Sequence, residues 1–173
     1  MNIIVDISTQ QMYLFKAEQI IKQYSISTSK YGIGNLKDSM RTPLGKHEIC
    51  EKIGAGIPIY GIFEKRCYNG ISAKQLQQAD TKDLITSRIL RLKGLELNIN
   101  RGGDIDSETR EIWIHGTNEE QLISSKASHG CIRMNNKDII ELFDLVELGT
   151  IVDIQLGEDE NGIFKQISTI INI

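Results

Sequence analysis

The first third of the chain alternates or clusters apolar residues over strand lengths. "NIIVDI", "QMYLF" and "QIIKQYSIST" follow one another with short polar breaks, and together they predict three successive strands of a meander. "SKYGIGNLKDSMRTPLG" then gathers Gly, Asn, Asp, Ser and Pro, the mark of a long surface loop, and "YGIGN" within it reads as a hairpin or lid around Tyr31 and Gly32. "KHEICEKI" and "IPIYGIF" predict further strands, and "SAKQLQQADTKDLI" carries a helical stretch. "RILRLKGLEL" and "REIWIHG" resume the strand pattern, the second ending at His115 and Gly116.

After a loop from Thr117 to Met134 comes the clearest helix. Ile139, Leu142, Phe143 and Val146 fall at i, i+3, i+4 and i+7, with Asn136 placed as N-cap, Asp138 in the first turn and Gly149 past the end. "TIVDIQL" predicts a closing strand and "GIFKQISTIINI" an extra one. No internal repeat, low-complexity run or linker interrupts the pattern, so it implies a single, mainly β domain with one α-helix after the loop.

Composition narrows the partners. With 173 residues the chain buries one ordinary core. Its 20 basic and 23 acidic side chains give a net charge of −3, no electrostatic footprint for nucleic acid or an anionic membrane. No stretch approaches the roughly 20 apolar residues of a membrane span. "MNIIVDISTQQMYLF" has no Lys or Arg before Lys16 and is broken by Asp6, Gln10 and Gln11, so it reads as a strand and not a secretory leader, and a cytoplasmic location is expected.

The chemistry concentrates in "ASHGCIRM". Cys50, Cys67 and Cys131 are odd in number and lie far apart without C-x-x-C, which argues against a disulfide framework or a four-thiolate zinc site. Cys131 becomes a nucleophile as its thiolate, and a free thiol with pKa about 8.5 needs an imidazole or positive field to reach that form at neutral pH. His115 lies sixteen positions earlier at a strand end, and His129 lies two residues before the sulfur. Gly130 between them permits a tight turn that would aim the amides of Gly130 and Cys131 at a developing oxyanion. Two other readings stand beside this one: a buried structural cysteine with ordinary polar histidines, and a zinc site of His115, His129 and Cys131 that lacks an obvious fourth ligand.

"IWIHGT" followed by "SHGCIRM" resembles the catalytic domain of the L,D-transpeptidases, bacterial cysteine enzymes acting on peptidoglycan stem peptides. "IIVDISTQQMYLF" resembles that family's opening strands and "RTPLGKHEI" its T-P-x-G element, so the resemblance covers residues 2–156. It implies a β-sandwich or barrel of mixed sheets, with residues 1–156 as catalytic domain and 157–173 as a C-terminal extension packed on it. It also implies roles: Cys131 as nucleophile, His115 as base, the Gly116 carbonyl holding the imidazole tautomer, and His129 lining the pocket. Gly130, Arg133 and Ser128 would serve the oxyanion or substrate. Arg133 either meets a substrate carboxylate or braces the loop, and Ser128 and Thr117 are expected as loop hydrogen bonders. No metal or cofactor is called for.

The implied substrate is a peptidoglycan stem tetrapeptide or muropeptide, attacked at the carbonyl of residue 3 with release of the terminal D-alanine. Water resolving the thioester gives an L,D-carboxypeptidase of murein recycling, and an amine from a second stem gives a 3,3 crosslink. A fold that binds peptidoglycan without chemistry is a further alternative. The segment "ITSRILRLKGLELNINRGGDIDSETREIWIHG" and the missing leader resemble the short cytoplasmic carboxypeptidase branch. Among Arg101, Asp104, Asp106 and Arg110, one charge is expected to recognise the zwitterionic end of the diamino acid, unless all belong to a solvated turn.

Overall fold

The computed structural model describes residues 1–76 and 83–157. Among these described residues, ten strands and one α-helix make up the frame. β1 (Asn2–Asp6), β2 (Gln11–Lys16) and β3 (Gln19–Ser27) form the antiparallel meander that the sequence pattern predicts. β4 (Gly45–Ile53), β5 (Gly61–Glu64), β6 (Cys67–Ser72) and β7 (Ile85–Gly94) follow, then β8 (Trp113–Thr117), β9 (Ile132–Met134), α1 (Asn136–Leu145) and β10 (Ile151–Gln155).

All ten strands join one mixed sheet in the order β4-β10-β1-β2-β3-β9-β8-β7-β5-β6. β1 runs parallel to β10, β8 runs parallel to β9, and the remaining pairs are antiparallel. Because β4 also pairs with β7, the ladder closes on itself and leaves only the β5–β6 hairpin projecting from the N-terminal end of β7. Closure removes exposed edges from the ring and encloses a core of Ile3, Val5, Met12, Leu14, Ile26, Leu90, Ile114 and Ile132, each unexposed. The fold is therefore mainly β with one helix, as expected, built from one continuous sheet.

Helix α1 lays Ile139, Leu142 and Phe143 into that core, with Val146 just past its end, a contribution of roughly 1.5–3 kcal/mol for each buried side chain. Its ends differ from the expectation. Asn135 occupies the N-cap, one residue before the predicted Asn136, because the Asn136 side chain is drawn inward by buried partners. Val146 is the C-cap, and Gly149 (φ +81°) instead shapes the turn into β10, its amide donating to Ile49 O.

The strand expected over "IPIYGIF" shrinks to β5, since Pro58 has no amide to donate and Tyr60 sits at φ +67°. β6, a largely exposed strand, and β9, three buried residues inside the expected loop, were not anticipated. Of the expected helical stretch, Ala73–Gln75 form a single 3-10 turn capped by Ser72, and residues 77–82 lie outside the described residues. The extra strand expected over 162–173 also lies outside them, as does the C-terminal extension apart from Gly157.

Candidate active site

The site is built where β7, β8 and β9 run side by side. Parallel pairing sets His115 of β8 opposite Arg133 of β9, which brings Cys131, at the foot of β9, alongside the same strand. On the other flank β7 pairs antiparallel with β8, Thr86 opposite Gly116 and Ile89 opposite His115, with a bulge between them at which Ser87 takes φ +64°.

His115 is 3 % exposed, and its Nδ1 lies 2.7 Å from the carbonyl oxygen of Gly116. A carbonyl only accepts, so the proton of that bond sits on Nδ1 and Nε2 is left bare. Burial pulls the His115 pKa down, against the Gly116 bond and the charge of Asp83, which raise it. His115 and Cys131 line one cleft of about 180 Å³ together with Asp83, Ile85, Ser128 and His129.

Cys131 rests on the apolar cluster of Phe63, Ile89 and Trp113, and its thiol donates to the Glu111 carbonyl at 3.4 Å. Burial pushes its pKa up to about 12. The Trp113 amide and Arg110 pull it down, while Asp83 and Glu111 add to the rise. The Cys131 thiol and the His115 imidazole thus both sit in surroundings that disfavour their charged forms.

The loop before the sulfur is tied internally. Ser128 Oγ donates to Cys131 O at 2.6 Å and accepts from the Gly130 amide at 3.3 Å, and the Gly130 carbonyl accepts from Thr42 Oγ1 at 3.0 Å. Gly130 needs its φ of +127°, which side-chain-bearing residues rarely adopt. The Gly130 amide, expected to face a developing oxyanion, donates to Ser128 in this arrangement. Ser128 and Thr117, whose Oγ1 accepts from the Glu119 amide at 3.1 Å, are loop hydrogen bonders.

Arg133 is 1 % exposed and absent from the cleft wall. Its Nη1 donates at 2.7 Å to both Asp83 Oδ1 and Glu119 Oε2, so the loop-bracing alternative describes it and direct contact with a substrate carboxylate does not. His129 lies at the cleft mouth with its side chain 45 % exposed, its Nδ1 3.1 Å from Asp83 Oδ2 and its ring centroid 6.0 Å from that of Tyr31. His129 also borders a second cleft of about 320 Å³ formed with Lys37, Met40, Arg110 and Glu111.

Of the four charges singled out between β7 and β8, Arg110 lines this second cleft, its Nη2 donating to Arg41 O at 2.7 Å. Asp106 caps its own turn by accepting from the Gly102 and Thr109 amides, and Arg101 and Asp104 are exposed. Among the described residues no three His, Cys, Asp or Glu side chains converge as a metal site, so the zinc reading of His115, His129 and Cys131 finds no support in the geometry. No helix among them is long and apolar enough to cross a membrane.

Two residues escaped the sequence reading. Asp83 lay inside a stretch read for helical periodicity, and nothing local marks it. Asn136 was read only as a cap, yet its buried Oδ1 accepts from Thr86 Oγ1 at 2.6 Å and its Nδ2 donates to Thr117 O at 2.7 Å and Glu120 Oε1 at 2.9 Å, fastening α1 to β7 and to β8, the strand that carries His115.

Residues 1–154 match the family model YkuD, L,D-transpeptidase catalytic domain. A putative L,D-transpeptidase YqjB of Bacillus subtilis is 42 % identical over 62 residues, 36 % of this chain and 34 % of that protein. A putative L,D-transpeptidase YkuD of the same species is 56 % identical over 41 residues, 24 % of this chain and 25 % of that protein. The matched segments therefore span about a third and a quarter of these relatives. Among solved structures, an L,D-transpeptidase of Enterococcus faecium superposes with a TM-score of 0.53 at 18 % identity, covering 89 % of this chain and 49 % of that one. One from Mycobacterium smegmatis gives 0.51 at 14 %, covering 88 % and 57 %. At these identities the likeness is one of fold.

Proposed function

Since the chain belongs to the L,D-transpeptidase catalytic domain family, we propose that it transfers the acyl group of peptidoglycan stem tetrapeptides through Cys131, and that water is the acceptor. The observation that carries this reading is the bare Nε2 of His115, fixed by the Gly116 carbonyl, in the same cleft as the Cys131 sulfur.

In the first half-reaction Nε2 takes the thiol proton as Sγ attacks the carbonyl carbon of residue 3. The tetrahedral intermediate collapses by breaking the bond to the terminal D-alanine nitrogen, which leaves with the proton carried by His115. In the second, His115 deprotonates water, the hydroxide attacks the thioester carbon, and Sγ departs and regains its proton. Surroundings that disfavour charge on both groups suit this order, in which the proton moves when a carbonyl is in place to receive the sulfur. Gly116 acts as the third member of a triad by holding the tautomer, the role a carboxylate plays elsewhere.

Hydrolysis is favoured over crosslinking by the resemblance of residues 85–116 to the carboxypeptidase branch, and recycling of tetrapeptides in the cytoplasm is the setting that this branch implies. Mass spectrometry of a stem tetrapeptide incubated with the protein, with and without a second stem or a D-amino acid, tests it beside Cys131→Ala. Tripeptide as the main product under both conditions is expected, with none from the variant. Crosslinked or exchanged tetrapeptide as the main product would replace hydrolysis by transpeptidation.

A further inference from the structure

A line of charge runs from the interior to the cleft mouth: Glu119, Arg133, Asp83, His129. Arg133 is buried and its Nη1 holds Glu119 Oε2 and Asp83 Oδ1, each at 2.7 Å. The second oxygen of Asp83 lies 3.1 Å from Nδ1 of His129, and Asp83 itself lines the cleft of Cys131 and His115. No sequence motif and no family resemblance assigned Asp83 a part.

We propose that Asp83 is a positioning residue of the acyl-transfer site: clamped on one oxygen by Arg133, it uses the other to fix the tautomer and orientation of His129 at the cleft mouth. The argument is geometric. His129 sits on a loop with nearly half of its side chain in solvent, where an imidazole alone would rotate freely and favour the Nε2–H tautomer. A carboxylate can only accept, so of the two neutral tautomers Asp83 selects the one with its hydrogen on Nδ1. The carboxylate is held on its other oxygen by a buried guanidinium that Glu119 also binds.

The charge of Asp83 also reaches the reacting pair. The groups around it are Arg133 of β9, His129 of the loop, His115 of β8 and Cys131, with Glu119 on the far side of the guanidinium. Arg133 and His129 hold its carboxyl below the usual carboxylate range despite burial, so it is an anion at neutral pH. That anion opposes ionisation of Cys131 and supports protonation of His115. Removing it should make the resting thiol easier to ionise while leaving the site worse at catalysis, two changes of opposite direction.

The inference rests on Cys131 being the nucleophile of the proposed reaction, and the test separates the two. Asp83→Ala removes the acceptor while Glu119 still neutralises Arg133, and Asp83→Glu keeps the charge. Imidazole nitrogen NMR of the full chain should show His129 as the Nδ1–H tautomer in the wild type and as Nε2–H in Asp83→Ala. With stem tetrapeptide, kcat of Asp83→Ala should fall about 10- to 100-fold, with little change in KM and partial recovery in Asp83→Glu. Iodoacetamide should modify Cys131 faster in Asp83→Ala than in the wild type. The same His129 tautomer in both proteins, an unchanged kcat, or a fall in turnover matched by falls in alkylation and melting temperature would each overturn the assignment. Should the wild type turn over no stem peptide, the acyl-transfer reading fails, and the tautomer comparison still decides whether Asp83 positions His129.

Discussion

His115 is held in its tautomer by its own chain neighbour: Nδ1 donates to the Gly116 carbonyl across 2.7 Å, with no carboxylate side chain at that nitrogen. The arrangement requires the strand to lie flat at Gly116. A Cβ there would stand 2.6 Å from the Thr86 carbonyl oxygen and 2.8 Å from Asn136 Oδ1, neither of them the free end of a flexible chain. Gly116→Ala should therefore displace the very carbonyl that orients the base. Expected are a loss of about 1–3 kcal/mol in urea unfolding and a fall in kcat about tenfold or more. Normal kcat in a folded Gly116→Ala would detach the carbonyl from the mechanism.

The raised pKa of Cys131 predicts an order of labelling. Cys67 is exposed on β6, whereas Cys131 sits against Phe63, Ile89 and Trp113 with a pKa pushed up to about 12. Iodoacetamide at pH 7 should modify Cys67 first, with peptide mapping showing Cys131 modified slowly and its rate rising steeply toward high pH. Preferential labelling of Cys131 at pH 6 would mean a standing thiolate and would sink the concerted proton transfer argued above.

Asn136 joins three elements with one amide. Its Oδ1 receives the Thr86 hydroxyl, its Nδ2 serves Thr117 O and Glu120 Oε1, and its backbone amide also reaches Glu120 Oε1, at 2.7 Å. Asn136→Ala strands several of these groups away from water, a cost of about 2–4 kcal/mol. Asn136→Asp should do no better, because a carboxylate cannot donate to Thr117 O and would face Glu120. Unfolding midpoints of both variants near the wild type would show that the network is dispensable.

These residues also show which features the sequence made legible. The meander, α1 and the strand ending at His115 follow from apolar periodicity, which acts over a few neighbours. The motif around Cys131 named its own chemistry because it is compact. β9 was invisible because three buried residues set no period, and its pairing with β8 is a contact between distant segments. Asp83 was hidden for the same reason: its partners, His129 and Arg133, lie 46 and 50 positions away. The turn at Gly130 was legible from its residue type, whereas the bond of its amide to Ser128 was not, since that acceptor depends on loop conformation.

His47 supplies a pH dependence unconnected with the cleft. It is unexposed on β4, its Nδ1 donating to Gly45 O at 2.8 Å and its Nε2 accepting from Ser107 Oγ at 2.9 Å, so it links the barrel to the β7–β8 connection as a neutral ring. Burial lowers its pKa from 6.5 to about 4, outweighing the Gly45 bond and the carboxylates of Glu96 and Asp153. Between those two values the unfolded chain binds the proton and the folded one does not, so acid favours unfolding. Stability from His47 is complete above pH 6.5, drops by about 2 kcal/mol by pH 5 and by about 3 kcal/mol by pH 4. Urea unfolding at pH 7.5, 6 and 5 should show this slope in the wild type. His47→Gln cannot titrate, so its deficit relative to the wild type should shrink as the pH falls. A deficit constant from pH 7.5 to 5 would mean that His47 takes up its proton in the folded state as readily as in the unfolded one.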